Sequence, residues 1–162
     1  ECMRVIRFFF VEVVEFVLVC LMIVLCTALF VGVYSRYVMG QAVPWSDEVA
    51  RYLFIWLVFL GAAVAVRRRA HYVVHLIVDR FAKRAKFATE LFYWVIIMGF
   101  SVFITIQGLK VMEGVSVQIS PALELNLSWV FLAIPVHGVL SFLYAGAHFW
   151  QGIRAEMKGG ES

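Results

Sequence analysis

The chain has 162 residues, of which 64% are apolar and 15% charged, with a formal net charge of +3 and a mean hydropathy of +0.91. This balance lies beyond what a soluble domain of that length carries and marks an integral membrane protein. It leaves room for one membrane domain and no soluble one, so any chemistry would have to sit among the helices or on their rims, and no nucleic-acid partner is expected.

The first span is read from the twenty residues Phe16 to Ser35, which contain no Asp, Glu, Lys or Arg. A hydrocarbon core of ~30 Å needs roughly 20 helical residues, so this run crosses once, with bounds of about 13–35. It is too long for the apolar region of a signal peptide, and no small-x-small site follows it before Tyr34 and Arg36, so it is expected to stay in the mature protein. Glu12 and Glu15 precede it at the interface. Glu15 is where a small proton-coupled carrier would place its first-helix carboxylate, but the uncharged run that follows argues against that use. Cys2, Cys20 and Cys26 form no disulfide framework and read as small apolar packing residues.

The second span is expected over 47–66, opened by Pro44-Trp45-Ser46-Asp47-Glu48. Ser46 is a candidate N-cap, and Asp47 and Glu48 place negative charge at the positive end of the helix dipole. Trp45 suits the membrane interface. Arg51, four residues after Asp47, can pair along the helix, and Arg36 at the end of the first span is within reach of either carboxylate. The group reads as an anchored helix end or as a charged rim that touches a partner. Further along, Gly61, Ala62, Ala63 and Ala65 are small residues that allow helices to approach closely.

Arg67, Arg68, Arg69 and His71 open the most basic segment, Arg67 to Glu90, which holds seven of the fourteen Lys and Arg. Within it, Tyr72 to Glu90 is amphipathic with helical period: His71, His75, Asp79, Lys83, Lys86 and Glu90 face one way and Val73, Ile77, Phe81 and Ala88 the other. The expectation is an interfacial helix lying on the lipid surface. His71, His75 and Asp79 have a spacing compatible with a metal, yet no Glu follows His71 as a metalloprotease helix requires, and a solvated face is the preferred reading.

The third span is expected over 91–111 and contains Ser101. The connection from Glu113 to Ser128 is apolar, holds Pro121 and only two charges, and is read as hugging the membrane surface as a short helix or a buried turn. The fourth span, about 129–150, carries the one ionisable group near mid-membrane, His137. Pro135 just before it removes a backbone donor and loosens the bonding at Phe131. Ser101 and Thr27 fall at comparable depth, and a neutral imidazole bonded to one of these hydroxyls, or to a freed carbonyl, is preferred over a proton or ligand site.

Short loops rich in Lys and Arg stay on the cytoplasmic side. With Arg4, Arg7, Arg154 and Lys158 added to the basic segment, eleven basic residues fall on one side, leaving Arg36, Arg51 and Lys110 for the other. Both termini are therefore expected in the cytoplasm. A haem anchor needs axial histidines on facing helices at matched depth; His137 and His148 share a helix, so no cofactor is expected. The sequence contains no Gly-rich phosphate loop, CxxC pair or nucleophile elbow. The expected architecture is an all-α integral membrane protein, one domain over 1–162, with four transmembrane helices and a cytoplasmic interfacial helix between the second and third.

The stretch from Trp45 through Asp47, Glu48, Arg51 and the apolar run to Gly61-Ala62-Ala63, followed by Arg67 and His71, resembles the small membrane subunits of tripartite ATP-independent periplasmic (TRAP) transporters, the DctQ-like family. Their pattern is an aromatic residue, a carboxylate pair and an arginine opening the second helix, an apolar run ending in Gly-Ala-Ala, and a basic turn with a histidine. The match covers about a sixth of the chain and departs from the family after His71, at Tyr72-Val73-Val74-His75. The resemblance implies a non-enzymatic subunit of the bacterial inner membrane that braces a large elevator-type membrane subunit. That large subunit would carry the substrate and sodium sites, and a periplasmic binding protein would deliver an organic acid of dicarboxylate or sialic acid type. It further implies that Trp45, Asp47, Glu48 and Arg51 orient the outer end of the second span or contact a partner. The competing reading is a self-sufficient four-helix carrier or a redox membrane anchor.

Overall fold

Inside a bilayer no water is available to backbone amides, so an apolar segment of spanning length satisfies them by coiling into a helix. In the computed structural model, which describes residues 2–41, 43–68 and 83–159, every long apolar run does so. The elements are α1 (Cys2–Tyr37), α2 (Pro44–Arg67), α3 (Lys83–Gly114), the single-turn α4 (Ser128–Phe131) and α5 (Ala133–Gly159). Among the described residues four segments are long and apolar enough to cross a membrane: Glu12–Tyr37, Pro44–Arg67, Leu91–Gly114 and Ser128–Arg154. These agree with the expected spans to within a few residues at each end.

Two boundaries differ from expectation. Within the described residues the third helix already runs from Lys83, ahead of the expected 91, and no Gly or Pro interrupts the chain between Lys83 and Met98. The anticipated interfacial helix over Tyr72–Glu90 lies largely outside the described residues, and its last part, from Lys83, is continuous with α3. The fourth span is divided at Leu132 into α4 and α5. Pro135 has no amide to offer the Phe131 carbonyl and its ring crowds that position, so the break falls where the proline acts.

By contact the chain forms two compact units, one of Glu1–Gly61 with Leu109–Ala133 and the other of Ala62–Gly108 with Ile134–Ser162. In the first, Leu25, Ala28, Ala50 and Val130 are buried together with Ser35, Ser46, Glu48 and Ser120. In the second, Ala63, Val64, Trp94 and Ala145 are buried with Ser101 and Ser141. Small side chains dominate both sets. Lipid tails are as apolar as leucine, so packing between spans gains from close backbone approach more than from removing apolar surface from water.

That close approach occurs at glycines which the composition did not single out. A Cβ on Gly138 would stand 2.8 Å from the Ser101 carbonyl oxygen and 3.0 Å from the Thr105 nitrogen, and one on Gly108 would stand 2.9 Å from Cδ of Pro135. Together they hold α3 against α5. The expected packing residues of α2 behave differently: Gly61 has open space where a Cβ would be, Ala62 is exposed, Ala65 is half-buried, and Ala63 is the member fully buried. The α2 register turns Ala63 and Val64 inward within this chain and leaves Ala62 exposed.

Most of the apolar surface remains open, with only 11% to 33% of each spanning window buried within the chain. Phe16, Phe30, Phe54, Phe92 and Phe103 all point outward. Substituting Gly138→Ala should lower the stability of the detergent-solubilised chain by about 1–3 kcal/mol through overpacking. Gly61→Ala should leave it unchanged or raise it by up to about 1 kcal/mol through helix propensity. Thermal unfolding of both variants checks the assignment.

Candidate functional site

The charged group that opens α2 is assembled by three elements of the first unit. Pro44 occupies the first helical position, where its missing amide is no loss, and this starts the helix two residues before Ser46. Ser46 is consequently not the N-cap. It lies within the first turn, nearly fully buried, and its hydroxyl donates to the Val43 carbonyl at 2.8 Å. Gly32 of α1 makes room for it, since a Cβ there would stand 2.7 Å from the Ser46 Oγ.

Asp47 and Glu48 diverge by one helical step and serve different neighbours. Asp47 Oδ2 accepts from Arg36 Nη2 at 2.9 Å, linking the end of α1 to the start of α2, with both side chains more than half exposed. Of the two partners open to Asp47, this selects Arg36; Arg51 and Trp45 are exposed on the same first turns. Glu48 turns the other way and is only 8% exposed. Its carboxylate accepts from the Ser120 hydroxyl, from the Ala122 amide at 3.2 Å and from the Leu123 amide at 3.2 Å.

The receiving loop is built for that carboxylate. Ser120-Pro121 starts a single turn in which the Ser120 carbonyl accepts the Glu124 amide at 3.0 Å and the Ser120 hydroxyl oxygen accepts the Leu123 amide at 3.4 Å, leaving the Ala122 amide without an acceptor inside the turn and the Leu123 amide with a long bond only. Glu48 supplies the acceptor from another helix, acting as a cap in trans. Glu124 ends the turn at φ 53°, a left-handed conformation that a side chain disfavours. On either side, Ser120 donates to the Leu125 carbonyl and Leu127 to the Gln118 carbonyl, bracketing an antiparallel bridge between Ile119 and Asn126. Asn126 then donates to the Ser116 carbonyl at 2.6 Å and accepts the Ser128 amide at 2.8 Å. Ser128 donates to the Met112 carbonyl at 3.1 Å, tying α4 to the end of α3. Sequence reasoning named Glu48 but missed Ser120 and Asn126. The Ser-Pro pair was the available signal, being a helix-start sequence in a connection read as a short helix or a buried turn.

In the second unit, the Arg67 carbonyl at the end of α2 is joined to His148 Nε2 at 2.9 Å. A carbonyl can only accept, so that nitrogen carries the proton. The His148 ring stacks on the buried Trp94 with centroids 4.7 Å apart. Arg68 is exposed and Arg154 lies over the Trp150 ring at 5.3 Å. Arg69, His71 and His75 fall outside the described residues. Near mid-span, His137 Nδ1 lies 3.4 Å from the Ser141 hydroxyl one turn on, a partner not anticipated from sequence. Ser101 donates to the Ile97 carbonyl at 2.7 Å, and Thr27 to the Ile23 carbonyl at 2.8 Å. Among the described residues no group of three His, Cys, Asp or Glu is placed to hold a metal ion.

This arrangement positions chain segments. Glu48→Ala should lower the unfolding temperature well below that of Asp47→Asn, because it strands the Ala122 amide and a buried hydroxyl and leaves the Leu123 amide with a long bond only. The exposed Arg36–Asp47 pair is worth about 1 kcal/mol or less. Glu124→Gly should raise stability by about 1 kcal/mol, since glycine adopts the left-handed conformation without strain. Unfolding curves of the three variants in one detergent test the ranking.

Residues 23–155 match the family model described as tripartite ATP-independent periplasmic transporters, DctQ component. The chain is 26% identical over 130 residues to the sialic acid TRAP transporter small permease protein SiaQ of Vibrio cholerae, covering 77% of this chain and 72% of that one. It is 26% identical over 113 residues to the sialic acid TRAP transporter permease protein SiaT of Haemophilus influenzae, and 31% identical over 109 residues to the isethionate TRAP transporter permease protein DctMQ of Oleidesulfovibrio alaskensis. The matches cover 69% and 66% of this chain, which spans less than a fifth of the length of either of those two relatives. Since the family match runs through most of its length, the chain belongs to the DctQ component family and is a TRAP transporter small membrane subunit.

Proposed function

We propose that this subunit braces a large membrane subunit that performs sodium-coupled, elevator-type uptake of an organic acid delivered by a periplasmic binding protein. The observation that carries this reading is the pairing of the family match with broad exposed apolar surface on all four spans. A spanning segment that buries a third or less of itself within its own chain has most of its surface left for lipid and for another membrane protein. Its similarity to a sialic acid permease and an isethionate permease supports an acidic substrate of that kind.

The distribution of Lys and Arg supports placement in the inner membrane with both termini in the cytoplasm. The amphipathic pattern of Tyr72–Glu90 supports an interfacial stretch on that side. Gly61 and Ala62, open on α2, suit close contact with the large subunit. On the opposite rim Trp45, Arg51 and the exposed Arg36–Asp47 pair remain available to a partner, whereas Glu48 is engaged by the 120–123 turn.

Purification from mild detergent through a tag on this chain should co-elute a much larger polytopic protein. Proteoliposomes holding this chain alone should take up no labelled organic acid with sodium and binding protein supplied, and uptake should appear when the large subunit is added. Transport by the lone chain that is abolished by His137→Ala or Glu15→Gln would establish a self-sufficient carrier and overturn the proposal.

A further inference from the structure

The connection between α3 and α4 combines two properties that water-exposed loops seldom share. Three large apolar side chains point outward, Val117 at 86% exposed, Ile119 at 66% and Leu125 at 50%, interspersed with the exposed polar Ser116, Gln118 and Glu124. Part of its backbone is occupied internally, with the amides of Ser116, Gln118, Ser120, Ala122, Leu123, Glu124, Leu127 and Ser128 donating within the protein. A loop in water has no need of such internal bonding, since water satisfies its amides. A loop next to hydrocarbon does need it, because non-helical backbone is tolerated there only when its polar groups find partners in the protein.

The same unit exposes Tyr37, Trp45 and Trp129, the residue types that gather where headgroups meet acyl chains. The loop lies between two segments long and apolar enough to cross a membrane, Leu91–Gly114 and Ser128–Arg154. Between Glu113 and Ser128 only the two terminal-side carboxylates Glu113 and Glu124 are charged, and both are exposed, so they can reach the headgroups.

We propose that residues 116–127 are immersed in the headgroup-to-acyl boundary, with Val117, Ile119 and Leu125 against lipid, and that Glu48 is the positioning residue that permits it by holding the 120–123 turn. The occupant of this apolar face is lipid, not protein. The inference concerns this chain's own contact with the membrane and stands whether or not the transport reading does.

The test uses the full chain in nanodiscs of phosphatidylethanolamine and phosphatidylglycerol, both alone and with its co-purified membrane partner. Single cysteines replacing Val117, Ile119 and Leu125, in a background with Cys2, Cys20 and Cys26 changed to Ala, are spin-labelled and probed with oxygen, which partitions into lipid, and with a water-soluble nickel chelate. Severalfold greater collision with oxygen than with nickel at all three positions, in both preparations, is the expected result. Nickel access equal to oxygen access would place the loop in water, and protection from both reagents on partner binding would place it against protein; either overturns the proposal. Glu48→Gln and, separately, Ser120→Ala should raise nickel access at Ile119 severalfold while the spanning helices keep their circular dichroism. Unchanged access in both variants would remove Glu48 from its positioning role.

Discussion

A polar backbone in a medium without water must find every partner inside the protein, and the rest of this structure follows from how that demand is met. Along the spans the helix itself meets it. Where the helix stops, between α3 and α4, side chains take over: Glu48 receives two amides and a hydroxyl, while Asn126 donates to one backbone group and accepts from another. The consequence is mechanical. The first turn of α2 and the turn at 120–123 become one piece, although more than seventy residues separate them in the chain.

The same demand explains the buried serines. Ser35, Ser46 and Ser101 donate to carbonyls three or four residues back on their own segment, and Ser141 meets His137 on its own helix. Each hydroxyl is thereby satisfied locally while its small size lets a neighbouring backbone come close. Gly32 beside Ser46, and Gly138 beside Ser101 and Thr105, are the two places where this is most evident. Substrate chemistry would call for polar groups converging from different helices on a shared space. The hydroxyls of Ser35, Ser46, Ser101 and Ser141 stay within their own segments, whereas Ser120 and Ser128 tie separate segments together.

Membership of the DctQ component family gives these features a setting. The subunit's spans keep most of their apolar surface open while its helix ends are tied internally. The trans cap at Glu48 stiffens one end, and the His148 contact with the Arg67 carbonyl, backed by Trp94, fixes the terminus of α2 at the other.

Much of this was legible in the amino-acid order. Spans were readable because hydrocarbon thickness converts directly into a count of uncharged residues, and the α4–α5 break was foreshadowed by Pro135. The motif from Trp45 to His71 was enough to indicate the family. Helix register and long-range partners were not legible, since they depend on which residue faces which across space. Ser46 looked like a cap until Pro44 started the helix earlier, the small-residue cluster of α2 did not indicate that Ala63 is its fully buried member, and nothing local distinguished Glu48 from Asp47. Sequence alone therefore determined that the chain crosses a membrane and roughly where, a one-dimensional matter of length and solvation. Only the tertiary structure decided that one of two adjacent carboxylates is exposed and paired with Arg36 while the other is buried as the anchor of a distant loop, because the 100° between them directs each to a different neighbour.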